Sequence, residues 1–541
     1  MAVSSQNIRV NPLIDWARRQ KRLGKLKQAF IVYTWMRKIE VKSRAWWRRD
    51  VIRCTCQLGI VMHPNWRNGH YALGVELRRR YSALATKASP DVVQLTRVGN
   101  RAIDHLRKAL ELDPKLRQAY DHLISILGEM GRIDEASLVL QQSEETKHKL
   151  AEALQTDKLG LRFISSRIAG SVGFIANLDC YVKAGLLGWR PPHEIFMLLP
   201  EGSLVSNPCA LDYWRKYVNI ISEPGAIAIL SPLTTLLEDP IHWALTCNDQ
   251  TYFTSAAYVM VHKQWESENR PPLLNLSSYD NDRGWKCLRG LGIPEGAWFV
   301  CIHVREPGFK DRGSSFDSYR NANVDTYSLA IETIVAHGGW VIRMGDPSMK
   351  RLSPMKHVID YAHNDVRSDW MDVFLSAQCR FFIATSSGLG AISVSFGVPM
   401  VQTNYLPWGT MWSSSKDLFL PRLLWSKKEQ RNLTFNEILS SPLSGGVSQS
   451  FYDNAGVEVI ENTPEEINDI VSEMLNRLDG KLTYTKTDEQ LQERIRSLTA
   501  VCNSYLGAKD LKINCRVGKD FLCKYSDLTE LESKHEILKT D

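Results

Sequence analysis

The sequence predicts the α/β fold class, with two doubly wound domains built on parallel sheets and preceded by an all-α domain of helical repeats. Three observations predict it. The first third of the chain repeats an apolar-Gly-basic-apolar-x-x-Ala pattern at helical spacing. From Leu161 onward, short apolar strand patterns alternate with helical ones, which is typical of parallel sheets. The chain has 541 residues, too many for a single hydrophobic core.

The composition is that of a globular protein, with 44% apolar and 23% charged residues. The sequence contains no apolar run of about 18 residues, so we expect no transmembrane helix, and its start lacks the apolar core of a secretory signal. Eleven cysteines are dispersed without a CxxC pair or a Cys/His cluster. This pattern predicts reduced thiols, no metal site and a cytoplasmic location, with peripheral association at the inner membrane as an alternative.

The charge is concentrated at the start of the chain. Residues 1–60 contain 14 Lys and Arg against three Asp and Glu, whereas the whole chain has a net charge of only +7. Three explanations fit this basic segment: a solvated helical face, a surface for a protein partner, or a surface for an anionic membrane or acceptor. Nucleic acid is the least favoured partner.

The helical repeats are predicted in residues 1–158. The motif "LGKLKQA" (Leu23–Ala29) returns as "MGRIDEA" (Met130–Ala136), and Pro64 and Pro114 each precede a helical pattern. These features resemble the tetratricopeptide repeat (TPR), a helix-turn-helix unit of 34 residues, most closely over Arg101–Gln142. The two prolines are 50 residues apart, which predicts an insertion of about 16 residues near Tyr81–Thr96. A repeat array normally binds partners and has no chemistry of its own.

The first predicted α/β domain spans residues 159–290. Its predicted strands are "LRFISS" from Leu161, "EIFMLLP" from Glu194 and "AIAILS" from Ala226. Their alternation with helical patterns indicates a Rossmann-like sheet. Gly170 and Gly173 lie in the first strand-to-helix turn, which is where sheets of this kind bind ligands.

The second predicted α/β domain spans residues 291–480, and C-terminal helices and a tail follow in 481–541. The predicted strands are "WFVCIHV", "GWVIRMG", "HVIDYA", "RFFIATS" and "PMVQTN". The clearest helix is "DTYSLAIETIVAHGG", with Asp325 as its expected N-cap and Gly338 at its end. Thr463 stands three residues before Glu466, which predicts a capping box.

The stretch "CIHVRE" places polar chemistry at the end of a predicted strand. Side chains alternate along a strand, so His303 and Arg305 point the same way. An arginine at the carboxyl end of a parallel strand can hold a phosphate through two hydrogen bonds, and a nearby histidine can add another. The structural alternative is that an arginine–carboxylate pair closes the end of the strand.

Two further strand ends point to the same kind of ligand. In "TSSGLG", the hydroxyls of Ser386 and Ser387 and the backbone at Gly388 would form an anion site before a helix, although an N-cap with a packing glycine is an alternative. In "VIRMGD", Asp346 would accept a hydrogen bond from a ribose or a base, or it forms a turn with the following proline. Arg343 lies just inside the same strand end, and Arg343 or Arg320 would assist Arg305 at a diphosphate. Together the three strand ends predict a diphosphate-containing ligand.

The segments "HVRE", "YRNANVDTY", "GGWVIRMGD", "SSGLG" and "FGVP" resemble those of bacterial TPR-associated glycosyltransferases with the GT-B fold, found in carbohydrate-biosynthesis loci. The His-x-Arg strand end is distantly similar to that of fucosyltransferases. The resemblance covers about Leu161 to Leu478. It implies a nucleotide-sugar donor in the second α/β domain, an acceptor in the first, and no essential metal or other cofactor. The glycine turn of that group often carries Gly-His, whereas this chain has Gly173-Phe174.

The resemblance also assigns roles to residues. Arg305, Ser386 and Ser387 would bind the donor diphosphate, together with Gly388, and Arg343 and Asp346 are placed on the same donor. His303 would contact the sugar or the phosphates, and Gly170 and Gly173 the acceptor. An inverting enzyme also needs a base for the acceptor hydroxyl. The candidates for the base are Glu306, Asp311, Asp317 and Asp325, of which Glu306 and Asp325 are carried forward with His303 as catalytic.

The sequence thus predicts a glycosyltransferase that moves a hexose or deoxyhexose to a surface-glycan, lipid-linked or protein acceptor. The alternative is a repeat scaffold whose α/β part is inactive and only binds a glycan or a nucleotide. The two hypotheses differ in whether donor binding is coupled to transfer.

Overall fold

The computed structural model describes residues 46–85, 91–242, 244–307, 315–408, 414–446, 448–502 and 511–530. The described residues fall into two compact units, one ending at Thr146 and the other beginning at Lys147. Residues 1–45 lie outside this description, and with them most of the basic segment and the motif Leu23–Ala29.

Within the described residues of the N-terminal part there are five helices: α1 Trp46–Met62, α2 Arg67–Ala85, α3 Val92–Leu112, α4 Arg117–Glu129 and α5 Ile133–Ala153. Pro64 and Pro114 stand in the turns before α2 and α4, as the repeat pattern predicts. The predicted insertion coincides with the end of α2 and the start of α3, which are 19 and 21 residues long. Residues 86–90 between the two helices lie outside the described residues.

A polar network joins α2 to α4 within the helical unit. The Arg78 guanidinium donates to Ser125 Oγ and to Glu129 Oε1, both at 2.8 Å. Ser82 Oγ donates to the other carboxylate oxygen of Glu129 at 2.7 Å. Because buried polar groups are costly without partners, this network fixes the register of the two helices.

The first sheet is parallel and has four strands, β1 Leu161–Ile164, β2 Glu194–Leu198, β3 Asn219–Ile221 and β4 Glu238–Asp239. Their order is β3-β2-β1-β4. The helices around this sheet are α6 Val172–Ile175, α7 Asn177–Leu186, α8 Pro208–Asp212, α9 Pro224–Leu237 and α10 Thr254–Ser267. A hairpin of β5 Ala244–Cys247 and β6 Gln250–Phe253 precedes α10.

The strand predicted at Ala226–Ser231 is wrong, because this segment lies inside α9. Pro224 occupies the first turn of the helix, where a missing N–H costs nothing. The Glu223 side chain caps that turn by accepting from the N–H groups of Gly225 and Ala226. The apolar run alone did not distinguish a strand from a half-exposed helix.

The remaining strands are β7 Phe299–His303, β8 Trp340–Arg343, β9 Val358–Ile359, β10 Phe382–Ala384, β11 Met400–Tyr405, β12 Leu418–Pro421, β13 Leu423–Ser426, β14 Arg431–Asn432, β15 Val457–Ile460 and β16 Arg516–Val517. Seven of them form the second sheet, which is parallel and ordered β16-β12-β11-β10-β7-β8-β9. The other three form a small antiparallel sheet, β14-β13-β15. The strands predicted at residues 298–404 are confirmed.

The helices of this part are α11 Ser278–Gly290, α12 Ser328–Ala336, α13 Asp369–Gln378, α14 Ala391–Ser395, α15 Phe435–Leu439, α16 Gln449–Asn454, α17 Pro464–Leu478, α18 Lys486–Cys502 and α19 Lys519–Lys524. The predicted capping box at Thr463 and Glu466 is confirmed at the start of α17. The stretch predicted as C-terminal helices and a tail also contributes β16, an edge strand of the second sheet.

Asp325 is not a helix N-cap. It lies inside a 3-10 turn, Val324–Tyr327, that precedes α12. The cap of that turn is Asn323, whose side-chain oxygen accepts from the Asp325 N–H at 3.0 Å. An Asn side chain has the same reach as Asp and forms the same cap, so the sequence pattern was shifted by two residues.

The second sheet is buried on both faces. Val300, Ile302 and Val304 belong to one apolar cluster, whereas Phe299 and Cys301 belong to another. This alternation follows the strand period of two and explains the continuous apolar pattern of β7. Among the helices that the structure describes, none is both long and apolar enough to cross a bilayer.

Candidate functional site

Each of the two parallel sheets has one point at which its strand order reverses. In the second sheet the chain runs outward from β7 to β8 and β9, then returns to β10 on the other side of β7. In the first sheet the same reversal separates β1 from β4. Loops diverge at such switch points and leave a crevice at the carboxyl ends of the strands, which is where open α/β sheets bind ligands.

His303 and Arg305 lie at the switch point of the second sheet. His303 pairs with Ala384 across the two neighbouring strands. The Thr385 N–H then donates to the His303 carbonyl at 3.2 Å, and the Arg305 N–H donates to Thr385 Oγ1 at 2.9 Å. These two bonds extend the pairing beyond the strand ends and fix Arg305, which is half-buried, beside the turn that follows β10.

His303 is a buried, uncharged histidine. Its side chain is 92% buried, and Nδ1 has no hydrogen-bond partner among the described residues. Burial and, to a smaller extent, the charges of Arg343 and Arg305 together lower its pKa to about 4, against a small opposing effect of Asp346. A neutral imidazole with an unused ring nitrogen can exchange one hydrogen bond with a ligand without carrying charge.

Arg343 is fully buried and is held by two carboxylates. Its guanidinium lies 2.8 Å from Glu306 Oε2 and 3.1 Å from Asp360 Oδ1. Glu306 Oε2 also accepts from the Lys350 N–H at 3.0 Å. This arrangement favours a structural role for Arg343 and Glu306 over the predicted donor contact and base, because each satisfies the buried charge of the other.

Asp346 and Asp325 differ in exposure and in their partners. Asp346 Oδ1 accepts from the Ser348 N–H at 2.9 Å, which is the predicted turn, while Oδ2 is buried without a partner among the described residues. Asp325 is 56% exposed and forms a surface ion pair with Lys350. Asp311 lies outside the described residues, as does the side chain of Asp317.

The second-sheet turn, Thr385–Gly390, connects β10 to α14. Ser386 and Ser387 are half-buried, and their hydroxyls make no hydrogen bond to any residue of the described part of the chain. The expected helix does follow, but α14 has only five residues and starts at Ala391. A helix of this length contributes little dipole, so the groups of this turn with the chemistry to bind an anion are its hydroxyls and backbone N–H groups.

The first-sheet turn, Ser165–Phe174, meets the second-sheet turn directly. A Cβ atom placed on Gly388 would lie 2.8 Å from the Gly173 nitrogen and 3.1 Å from its Cα. Both turns follow the strand at their switch point, so the two crevices open toward the same place. Gly170 lies apart from this contact, against Leu204. The sequence grouped both glycines, whereas the structure gives only Gly173 a place at the junction.

Sequence reasoning did not identify Thr385 or Asp360. Thr385 forms the two hydrogen bonds that join the ends of β7 and β10. The sequence feature that could have identified it is a hydroxyl residue directly after an apolar strand. The Asp360 carboxylate forms one of the two ion pairs of Arg343. It also accepts a hydrogen bond from His363 Nδ1 at 2.8 Å. No local pattern reports it, because its partner Arg343 is brought close only by the pairing of β8 with β9.

The similarity of this chain to known proteins is found among solved structures. No protein-family model matches it. No curated protein matches it either. Among solved structures, it is similar to a glycosyl transferase family 9 protein from Veillonella parvula, with 9% identity over 48% of this chain and 86% of that one and a TM-score of 0.33.

Two other solved structures are similar over larger shares of both chains. One is the E. coli ADP-heptose LPS heptosyltransferase II, with 13% identity, 59% of this chain, 98% of that one and a TM-score of 0.28. The other is a mutant O-GlcNAc transferase from Thermobaculum terrenum, with 12% identity, 98% of both chains and a TM-score of 0.23. TM-scores below 0.5 do not establish a shared fold, so the proposal below rests on the geometry of the strand ends.

Proposed function

We propose that the α/β unit is a glycosyltransferase that moves a sugar from a nucleotide-sugar donor to an acceptor hydroxyl. The observation that carries the proposal is the apposition of the two switch points, with Gly173 against Gly388. A transfer between two substrates needs two binding edges that meet at one point, so that the reacting atoms are held together. The second-sheet edge presents Arg305 and hydroxyls, and the first-sheet turn presents serine hydroxyls and an exposed phenylalanine.

The second-sheet edge is the proposed donor side. Arg305, Ser386 and Ser387 would hold the diphosphate, with the backbone of Gly388 close by. In the reaction the acceptor oxygen forms a bond to the anomeric carbon as the bond from that carbon to the diphosphate oxygen breaks. The diphosphate leaves with the electron pair, and the acceptor proton passes to a base. A fixed guanidinium stabilises the growing charge on the diphosphate, which lowers the barrier without an added metal.

His303 is proposed to hydrogen-bond the donor as a neutral ring, since its unused Nδ1 lies beside Arg305 at the strand end. Glu306 is proposed as a positioning residue that holds Arg343 and the Lys350 N–H. Of the two predicted carboxylate bases, Asp325 is the one carried forward, because it is more than half exposed whereas Glu306 is buried in its ion pair.

The test is a thermal-shift titration of the full chain with nucleoside diphosphates and nucleotide sugars, with EDTA and with Mg²⁺. A ligand that binds only the folded state stabilises it by about 2.7 kcal/mol at 100 times its Kd. We expect one base-selective ligand to raise the Tm equally in EDTA and in Mg²⁺. Arg305→Ala should weaken that ligand by about 10- to 100-fold, the contribution of a hydrogen bond to a charged group.

The matched control is Arg289→Ala, which removes an exposed arginine from α11, and it should keep the wild-type shift. A transfer assay with the selected nucleotide sugar then separates an enzyme from an inactive binder. Selective binding without transfer to glycan, lipid-linked or protein acceptors would favour the scaffold hypothesis. If none of the nucleotides or nucleotide sugars raises the Tm of well-folded protein, the proposed donor site is overturned.

A further inference from the structure

The first-sheet edge differs in chemistry from a surface that binds an ion or a lipid chain. It consists of the first-sheet turn and the loop 199–207, which follows β2. The Ser206 N–H and Oγ both bond to the Ala169 carbonyl, at 2.8 Å and 2.9 Å, so the two segments form one surface. Its exposed large apolar side chains are Phe174 and Leu204, which are 45% and 67% exposed.

Charge is almost absent from this edge. The first-sheet turn has one charged residue, Arg167, and the loop has one, Glu201. Hydroxyls are abundant, with Ser165, Ser166 and Ser171 in the turn. Within the described part of the chain, none of these three hydroxyls has a hydrogen-bond partner, which leaves them available to a ligand.

Phe174 stands next to the meeting point of the two sheets. It follows Gly173, the residue whose backbone touches Gly388 of the donor-side turn. The backbone of Phe174 is therefore adjacent to the point where the first-sheet turn meets the donor-side turn. Leu204 extends the apolar surface on the other side, since its Cδ2 lies 3.7 Å from a Cβ built on Gly170.

We propose that the acceptor group bound here is an uncharged sugar unit, with Phe174 as the ring on which its C–H face rests and the serine hydroxyls bonded to its hydroxyl rim. This inference rests on the proposed glycosyl transfer and narrows the acceptor to a neutral glycan. A pyranose has one apolar face and a rim of hydroxyls, which matches an exposed aromatic ring among serines. A lipid chain would need a longer continuous apolar surface than two separated side chains.

The test is saturation-transfer NMR on the full chain with methyl glycosides of glucose, galactose, mannose and N-acetylglucosamine. Methyl glucuronide and decanoate serve as the charged and the lipid probe. Wild type should transfer saturation to the ring C–H protons of at least one neutral glycoside. Phe174→Ala should weaken that binding by at least about fivefold, and Phe174→Tyr, which keeps the ring, should stay within about twofold.

The control is Ile229→Ala, which removes a 77% exposed apolar side chain from α9 and should leave glycoside binding unchanged. Equal binding by wild type and Phe174→Ala would overturn the proposal, as would binding of only the glucuronide or only decanoate, or of no probe at all.

The nucleotide thermal shift of the same variants separates the two proposals. Phe174→Ala should retain it, because Phe174 is on the acceptor side. If wild type binds nucleotides but no neutral glycoside, only the acceptor inference fails. If it binds glycosides through Phe174 but no nucleotide, the glycosyltransferase proposal fails and the chain is a glycan-binding protein. In a transfer assay, Phe174→Ala should raise the acceptor KM more than it lowers kcat.

Discussion

The carboxyl-terminal edges of the two sheets come from the same kind of strand reversal but carry different chemistry. At the second sheet, His303 and Arg343 are buried, and two carboxylates hold the arginine. At the first sheet, the turn has a single charged residue, the exposed Arg167, and an exposed phenylalanine. Buried charge must be matched by fixed partners, whereas an exposed neutral surface can accept change. We therefore expect substitutions at the second edge to lower the free energy of unfolding strongly, and substitutions at the first edge to change it little.

The largest effect is expected from an arginine exchanged on each edge. Arg343→Met leaves the buried carboxylates of Glu306 and Asp360 without their cation, which should cost about 3–5 kcal/mol of unfolding free energy. Arg167→Met, on the first edge, should change it by less than about 0.5 kcal/mol. Urea unfolding followed by tryptophan fluorescence measures both. Similar losses in the two variants would remove the distinction between the edges.

Lowering the pH should reduce the stability of the protein through the buried histidine of the second edge. The pKa of His303 is lowered to about 4 by burial and by neighbouring arginines, so between pH 6.5 and 4 the unfolded chain binds a proton that the folded chain does not. Wild type should thus lose stability relative to His303→Gln as the pH falls through this window, by at most about 3 kcal/mol. Parallel stability curves for the two proteins between pH 7 and pH 4 would contradict the assigned burial.

Gly388 and Gly170, one from each turn, provide a matched pair of alanine substitutions. In Gly388→Ala the new Cβ would lie 2.8 Å from the Gly173 nitrogen, so backbone has to shift, at a cost of about 1–3 kcal/mol. In Gly170→Ala the nearest atom is 3.7 Å away, an ordinary contact, and the change should stay within about 0.5 kcal/mol. Thermal unfolding distinguishes them. A tolerated Gly388→Ala would show that the two turns are not held in contact.

The smallest effect concerns the turn that precedes α12. Asn323→Ala removes the side-chain cap and should cost about 1 kcal/mol. Asp325→Ala removes an exposed ion pair with Lys350 and should cost at most a few tenths of a kcal/mol. Denaturant midpoints of the two variants provide the measurement. The reverse order would restore Asp325 as the capping residue.

Local sequence patterns predicted five of the seven strands of the second sheet, β7 to β11, and missed β12 and β16. Its strands are buried on both faces and so appear as continuous apolar runs, and the Thr463 capping box is contained within four residues. The same reasoning failed at Ala226–Ser231, where an apolar run belongs to a helix started by Pro224 and Glu223. It also placed the cap at Asp325 instead of Asn323, since either side chain can serve.

The polar residues at the strand ends were identified from the sequence, but their roles depended on partners distant along the chain. Arg343 and Asp346 both looked like ligand contacts, and only the pairing of β8 with β9 shows that Asp360 lies beside the arginine. Thr385 was passed over for its neighbours Ser386 and Ser387, although it bonds the Arg305 N–H.

The sequence by itself determined the order of the strands within residues 298–404, the glycines in the turns and the polar residues that follow the strands, because these depend on spacing and side-chain chemistry along a few residues. Tertiary structure alone decided which arginine is buried in an ion pair, which nitrogen of a buried histidine has no partner, and that Gly173 meets Gly388. These outcomes depend on contacts between residues that are 17, 37 and 215 positions apart, and on the desolvation those contacts impose, which no local pattern encodes.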